Sequence, residues 1–193
     1  IKVLALTRYG RMGASSRIRM LQYLPWLQRA GVEVTAQSLL SDDLLARRYR
    51  HGGYGLGALL SAYGARVRTL MQRRRFDVLW IEKEALPWMP LWLERGLLRG
   101  IPYALDYDDA VFHQYDMHPN PWLRRLYGRR LDGLMANAAL VVGGNNYLAQ
   151  RARDAGAPCV ELVPTVVDLA RYAEKSDALG SGIEARSGSG EVP

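Results

Sequence analysis

Residues 2–7 (KVLALT) form a short, nearly continuous apolar run, and runs of the same kind return at 32–37, 77–82, 102–106, 139–143 and 159–164. Unbroken apolar runs of this length mark strands covered on both faces of a parallel sheet, whereas a strand with one wet face alternates. The intervening segments carry helical spacing. Residues 16–30 set Ile18, Leu21, Leu24 and Leu27 along one helix, with Ser15 or Ser16 as the N-cap, Gly31 as the stop and Pro25 as a kink. Residues 56–75, 88–99, 121–137 and 146–155 read as further helices, the last capped by Asn146.

Alternation of strands and helices predicts an α/β fold: a doubly wound, Rossmann-like domain over residues 1–172, with a mainly parallel sheet of about six strands. From 173 to 193 the chain changes to a Gly/Ser-rich, charged composition with little to bury, as expected of a flexible linker or tail.

Composition narrows the chemistry. The 193 residues suffice for one well-cored domain. The longest apolar candidate for a membrane span, 86–93, is short and holds Pro87 and Pro90, so no transmembrane helix is expected. The chain opens in a strand-like run without a basic region or cleavage site, and no signal peptide is read in it. With Cys159 alone, there is no intramolecular disulfide and no multi-cysteine metal site, and a reducing, cytoplasmic setting is expected. The net charge of +7 suits an anionic partner. Only Lys2, Lys83 and Lys175 are lysines, however, an Arg bias that base composition alone produces.

Ligands of open parallel sheets sit beyond the C-terminal strand ends, so the loops there hold the candidates. After the first run come Gly10, Gly13, Ala14, Ser15, Ser16 and Arg17, small residues that let a ligand approach a helix N-terminus, with Arg8, Arg11 and Arg17 as cationic forks. The spacing of Gly10 and Gly13 departs from the dinucleotide fingerprint. Glu82 and Glu84 end the third run, where a carboxylate can orient a sugar hydroxyl or pair with Lys83 and nearby Arg.

Asp106, Asp108 and Asp109 crowd the end of the fourth run, a cluster that needs a shared proton or a cation. A D-x-D pair suits Mg²⁺, and a Mg-dependent phosphatase using Asp106 and Asp108 is one alternative, although Ala110 stands where the haloacid dehalogenase pattern carries Thr. Asn145, Asn146 and Thr165 complete the loop candidates. Arg73, Arg74 and Arg75, with Arg47, Arg48, Arg50, Arg66 and Arg68, form a basic helix surface suited to an anionic membrane or phosphate.

Three further segments share an order with a known family. VPTVVDLARY, VVGGNNYLAQRARDAG and GASSRIRMLQYLPWLQRAGVEV resemble the corresponding stretches of the N-terminal domain of a GT-B fold glycosyltransferase, group 1 or family 4 type, and the resemblance covers residues 2–172. It implies the acceptor-binding half of a hexosyltransferase, moving sugar from a nucleotide sugar to an acceptor hydroxyl with retention. The donor-binding C-terminal domain and its Glu-x₇-Glu motif are missing from the chain, whose Glu84 and Glu94 are ten apart, and the chain alone is expected to be inactive.

The resemblance further implies no metal and no cofactor besides the nucleotide-sugar co-substrate, a sugar or lipid-linked acceptor, a role in cell envelope polysaccharide synthesis, and a cytoplasmic enzyme peripheral to the membrane. Where family members carry a His after the fourth strand, this chain has Tyr107, Asp108 and Asp109, so Asp109 or Asp108 is expected in its catalytic place. The competing class is a non-catalytic nucleotide- or nucleic-acid-binding Rossmann-like module. No aromatic–basic recognition motif supports it, and no nucleic-acid partner is expected.

Overall fold

The computed structural model describes residues 1–168. The expected linker at 173–193, and the last residues of the expected domain, lie outside the described residues. Strands β1 (Lys2–Tyr9), β2 (Glu33–Leu40), β3 (Val78–Glu82), β4 (Tyr103–Tyr107), β5 (Leu140–Gly143) and β6 (Val160–Leu162) make one sheet in the order β2-β1-β3-β4-β5-β6. Every pairing is parallel. The α/β, Rossmann-like sheet expected from the apolar runs is therefore the one observed.

The register explains those runs. Leu4 pairs with Leu79 and Leu79 with Tyr103, while Leu6 pairs with Ile81, Ile81 with Leu105 and Leu105 with Val141, giving one continuous apolar face. These side chains are buried with Leu70 of α4 (Leu56–Met71), Leu98 of α5 (Leu91–Leu98), Leu134 of α8 (Arg130–Met135) and Leu148 of α9 (Asn146–Asp154). The other face carries Val3, Val78, Trp80, Ala104, Leu140 and Val142, and its middle lines an apolar groove of about 610 Å³. Val78, Trp80, Ala104, Leu140 and Val142 are only half-buried there.

Several helices differ from the periodicity. The stretch 16–30 is two short helices, α1 (Ala14–Arg19) and α2 (Leu24–Arg29), joined by a 3₁₀ turn, and Pro25 starts the second instead of kinking one long helix. Gly13, not Ser15 or Ser16, caps α1. Helix α3 (Asp42–His51), hidden by its charge, is capped by Ser41, whose Oγ accepts from Leu44 N at 3.3 Å. The stretch 121–137 splits into α7 (Pro121–Tyr127) and α8, after the one-turn helix α6 (His113–Asp116). Asn145 rather than Asn146 caps α9, its side chain accepting from Leu148 N. Among the described residues no helix is long and apolar enough to cross a membrane.

Candidate functional site

Strand order reverses direction at β1: the chain leaves β1 for β2 on one side and later fills β3 to β6 on the other. The two crossovers part at that point and leave a crevice at the C-terminal ends of β1 and β3, where doubly wound sheets bind ligands. Glu82, the last residue of β3, spans it. Its Oε2 accepts from Arg8 N at 2.8 Å and from Ser16 Oγ at 2.6 Å, and its Oε1 accepts from Ser15 Oγ at 3.0 Å.

Directly after Glu82 the chain makes a three-residue turn. Glu84 N donates to the Glu82 carbonyl at 2.7 Å around Lys83, whose φ is +63°. That is the strained positive-φ form of the γ-turn, uncommon for a residue with a side chain. Its effect is to send three consecutive charged side chains to different places. Glu82 stays in the crevice, Lys83 reaches toward the β4 loop, and Glu84 turns into the core.

Lys83 Nζ lies 3.0 Å from Asp108 Oδ1, 2.9 Å from Asp109 Oδ2 and 3.4 Å from Ser15 Oγ. Ser15 Oγ in turn lies 2.5 Å from Asp108 Oδ2. One ammonium and one hydroxyl thus organise the two aspartates expected to be catalytic. Burial disfavours the charged form of Asp108, but the Ser15 hydroxyl and the Lys83 charge outweigh it and hold the carboxyl below its ordinary range. Burial likewise opposes the Lys83 charge, and Asp108 and Asp109 overcome it, raising the ammonium. Asp109 differs from Asp108 in being open, its side chain 61 % exposed. It is the carboxylate of the cluster that an incoming molecule meets first.

The remaining expected residues divide. Glu84 does not line the crevice: it is buried and accepts from Tyr115 Oη at 2.9 Å and from Arg130, which also pairs with Glu94. Ser16 and Glu82 are buried as well and build the loop rather than face outward. Gly13 and Gly10 admit protein: a Cβ at Gly10 would meet the Asp42 carboxylate, which accepts from Arg11 N at 3.1 Å and Met12 N at 2.9 Å, and a Cβ at Gly13 would meet Tyr9.

The start of α1, expected to attract phosphate, faces the protein's own carboxylates, Glu82 and Asp108, through Ser15. Arg17, half-buried, donates to the Arg11 carbonyl at 2.8 Å, and Ala14 is exposed. Asn145 and Asn146 are exposed at the start of α9. Thr165 is exposed, its Oγ1 3.4 Å from Arg19 Nη1, in the segment after β6.

Asp106 and Asp108 do not form a metal pair. Asp106 Oδ1 accepts from Arg19 Nε at 2.9 Å and Nη2 at 2.6 Å, while Asp108 answers to Lys83 and Ser15. Among the described residues no group of three His, Cys, Asp or Glu could hold a metal ion. The phosphatase alternative thus has its two carboxylates committed to separate cations. Burial pushes the Asp106 carboxyl up to about 6 despite Arg19.

His113 sits at the same sheet end, with Nδ1 2.8 Å from Asp116 Oδ1 and Nε2 2.7 Å from Tyr147 Oη. Arg73 to Arg75 precede β3 and so lie at the opposite, N-terminal end, and Arg73 is tied to the Arg99 carbonyl at 2.9 Å. Arg66 is not on the basic surface at all: it is buried, donating to the carbonyls of Thr7 at 2.7 Å, Gln37 at 3.0 Å and Ala85 at 3.2 Å.

Among known families, the model of the glycosyl transferase 4-like domain matches residues 8–165. The chain belongs to this family. The match takes in the crevice loops, strands β2 to β6 and the last two residues of β1, Arg8 and Tyr9. Among solved structures the glycosyl transferase 4-like chain is similar to HepE of Anabaena, determined in complex with UDP-glucose, at 15 % identity and a TM-score of 0.54. The alignment covers 93 % of this chain and 50 % of that one, so the chain spans half the length of HepE. At that identity the likeness concerns the fold, a Rossmann-like half of a GT-B architecture. No curated protein matches the chain.

Proposed function

We propose that this domain is the N-terminal, acceptor-side half of a retaining hexosyltransferase that moves a sugar from a nucleotide sugar to an acceptor hydroxyl. The observation that carries this reading is the Ser15, Lys83, Asp108 and Asp109 cluster at the mouth of the β1–β3 crevice. Asp109, open to solvent and oriented by Lys83, accepts a hydrogen bond from a sugar hydroxyl of donor or acceptor. Asp108, kept ionised by Ser15 and Lys83, fixes the ammonium that orients Asp109. Positioning of this kind accelerates transfer by holding the attacking oxygen in line with the anomeric carbon.

Stabilisation of the departing nucleoside diphosphate, which needs cations and N–H donors, falls to the half that this chain does not span, and the chain alone is without transferase activity. HepE's complex makes UDP-glucose the first donor to try. The test is transfer from UDP-glucose and other nucleotide sugars by the full protein carrying this domain. Asp109→Asn is expected to lower kcat/KM by about a hundredfold, the size of a lost charged positioning contact. Unchanged kcat/KM in both Asp109→Asn and Asp108→Asn overturns the assignment.

A further inference from the structure

One side of helix α5 is open. Trp92, Arg95, Gly96 and Arg99 recur at the three- and four-residue spacing that lines up one helix side, and all four are exposed, Trp92 by 73 %. They line a cavity of about 600 Å³, together with the buried apolar side chains of Leu98 and Ile101. That volume is in the range of small-molecule pockets. Residues 99–101 lead into the N-terminal end of β4, so the cavity lies at the opposite end of that strand from Asp108 and Asp109.

Charge and space at this cavity point the same way. No lining residue is acidic. Arg95 donates to the neutral Asn137 Oδ1 at 3.1 Å, and neither Arg95 nor Arg99 forms an ion pair among the described residues. Glu94, beside Arg95 in sequence, is turned into the core, where it meets Arg130 and the Ala85 N–H. Arg73 donates to the Arg99 carbonyl at 2.9 Å, which brings the exposed Arg74 and Arg75 to the same end of the sheet. Gly96 is a poor helix former in the middle of α5, yet a Cβ there would meet nothing within 4 Å. Packing within the protein therefore does not call for glycine; its effect is to leave bare helix backbone between the indole and Arg99.

We propose that this cavity binds an aromatic heterocycle carrying phosphate, in its simplest form a nucleoside monophosphate. The base stacks on the Trp92 indole, Gly96 leaves the helix side clear for it, and Arg95 and Arg99 hold the phosphate through charge-assisted hydrogen bonds. A bare anion would leave the indole and the apolar lining unused. A nucleic-acid strand stacks its successive bases on several rings, whereas Trp92 is the one exposed ring on the lining. The site is separate from the crevice and does not rest on the transferase reading, since binding is read without turnover.

The experiment is calorimetric titration of the chain with AMP, adenosine and inorganic phosphate. AMP is expected to bind about tenfold or more tighter than either adenosine or phosphate. Trp92→Leu should weaken AMP by about tenfold and Trp92→Tyr by less than about threefold, because a phenol ring still stacks. Arg95→Gln/Arg99→Gln should weaken AMP by about thirtyfold and leave adenosine within about twofold. Gly96→Leu fills the cavity with a better helix former, so AMP binding should fall by about tenfold or more while the thermal midpoint holds or rises. Trp122→Leu removes an exposed indole on α7 and should leave AMP binding as it is. Absence of AMP binding up to about 10 mM overturns the proposal. So does phosphate binding as tight as AMP, undiminished binding in Trp92→Leu or Gly96→Leu, or equal loss in Trp122→Leu. Single-stranded oligoadenylate binding more than about tenfold tighter than AMP and lost in the same variants overturns it too, in favour of a strand.

Discussion

Two ionic clusters begin at adjacent residues of the chain and meet opposite fates. Lys83 leads to the rim, where it joins Asp108, Asp109 and Ser15 under partial solvent. Glu84 leads inward, where it shares Arg130 with Glu94, all three side chains about 1 % exposed or less. The inner cluster has two carboxylates for one guanidinium in a dry setting. Its backing by Tyr115, by the Leu86 carbonyl and by the N–H groups of Ala85 and Leu86 satisfies the remaining polar atoms. The rim cluster has one cation for two carboxylates as well, but Asp109 can exchange protein for ligand. The same charges therefore serve to hold a fold in one place and to present a group in the other, and access to water separates the two.

The largest effect that could break this contrast is on stability. Arg130→Met leaves two buried carboxylates without their cation and is expected to cost about 3–5 kcal/mol. Asp109→Asn should shift stability by no more than about 0.5 kcal/mol, the size of an exposed change. Urea denaturation of both variants measures the difference, and similar losses would erase the distinction.

The pH dependence should also carry opposite signs. Burial, reinforced by Glu84, pushes the Glu94 carboxyl up to about 7 against the pull of Arg130. A carboxyl raised in the folded state binds its proton more tightly there, so stability falls as pH rises from its ordinary value through about 7. Glu94→Gln is expected to flatten the stability profile around neutrality, by on the order of 2 kcal/mol across that window. Asp108 is lowered, so its contribution is present above the unfolded value and is lost as pH falls through the folded one. Asp108→Asn should flatten only the acid limb. Thermal unfolding of both variants between acid and mildly alkaline pH reads the two slopes, and a shared slope would merge the clusters into one.

Ser15→Ala sharpens the rim further. It removes the hydroxyl that donates within a group of two carboxylates, and a loss of about 1 kcal/mol is expected, with kcat of the full protein falling more than KM changes. The smallest effect belongs to Arg74→Gln/Arg75→Gln, exposed at the far end of the sheet, within about 0.5 kcal/mol of the parent by the same denaturation assay.

Local sequence determined the strands and the sheet, because an unbroken apolar run has few ways to avoid being covered on both sides. It also made the ends of the first, third and fourth runs stand out, and the aspartates there do meet at one crevice with Ser15. What no local pattern carries is the direction in which a charged side chain leaves the backbone.

Arg66 falls in a stretch that reads as a basic surface, yet it sits buried on three carbonyls from β1, β2 and the β3 loop, partners far away in sequence. Burial pushes its guanidinium down to about 10 against the pull of the Glu94 and Glu82 carboxylates. Lys83, the residue that draws the rim together, lacked any sequence signal beyond its charge, since its role depends on a positive φ and on the β4 loop lying beside β3. Glu82 and Glu84 look equivalent on paper and become a crevice brace and a core ion. The order of apolar residues decided the architecture; the paths of the charges were decided only when distant strands came together, because a charge lowers its energy by finding partners and those partners exist only in the assembled fold.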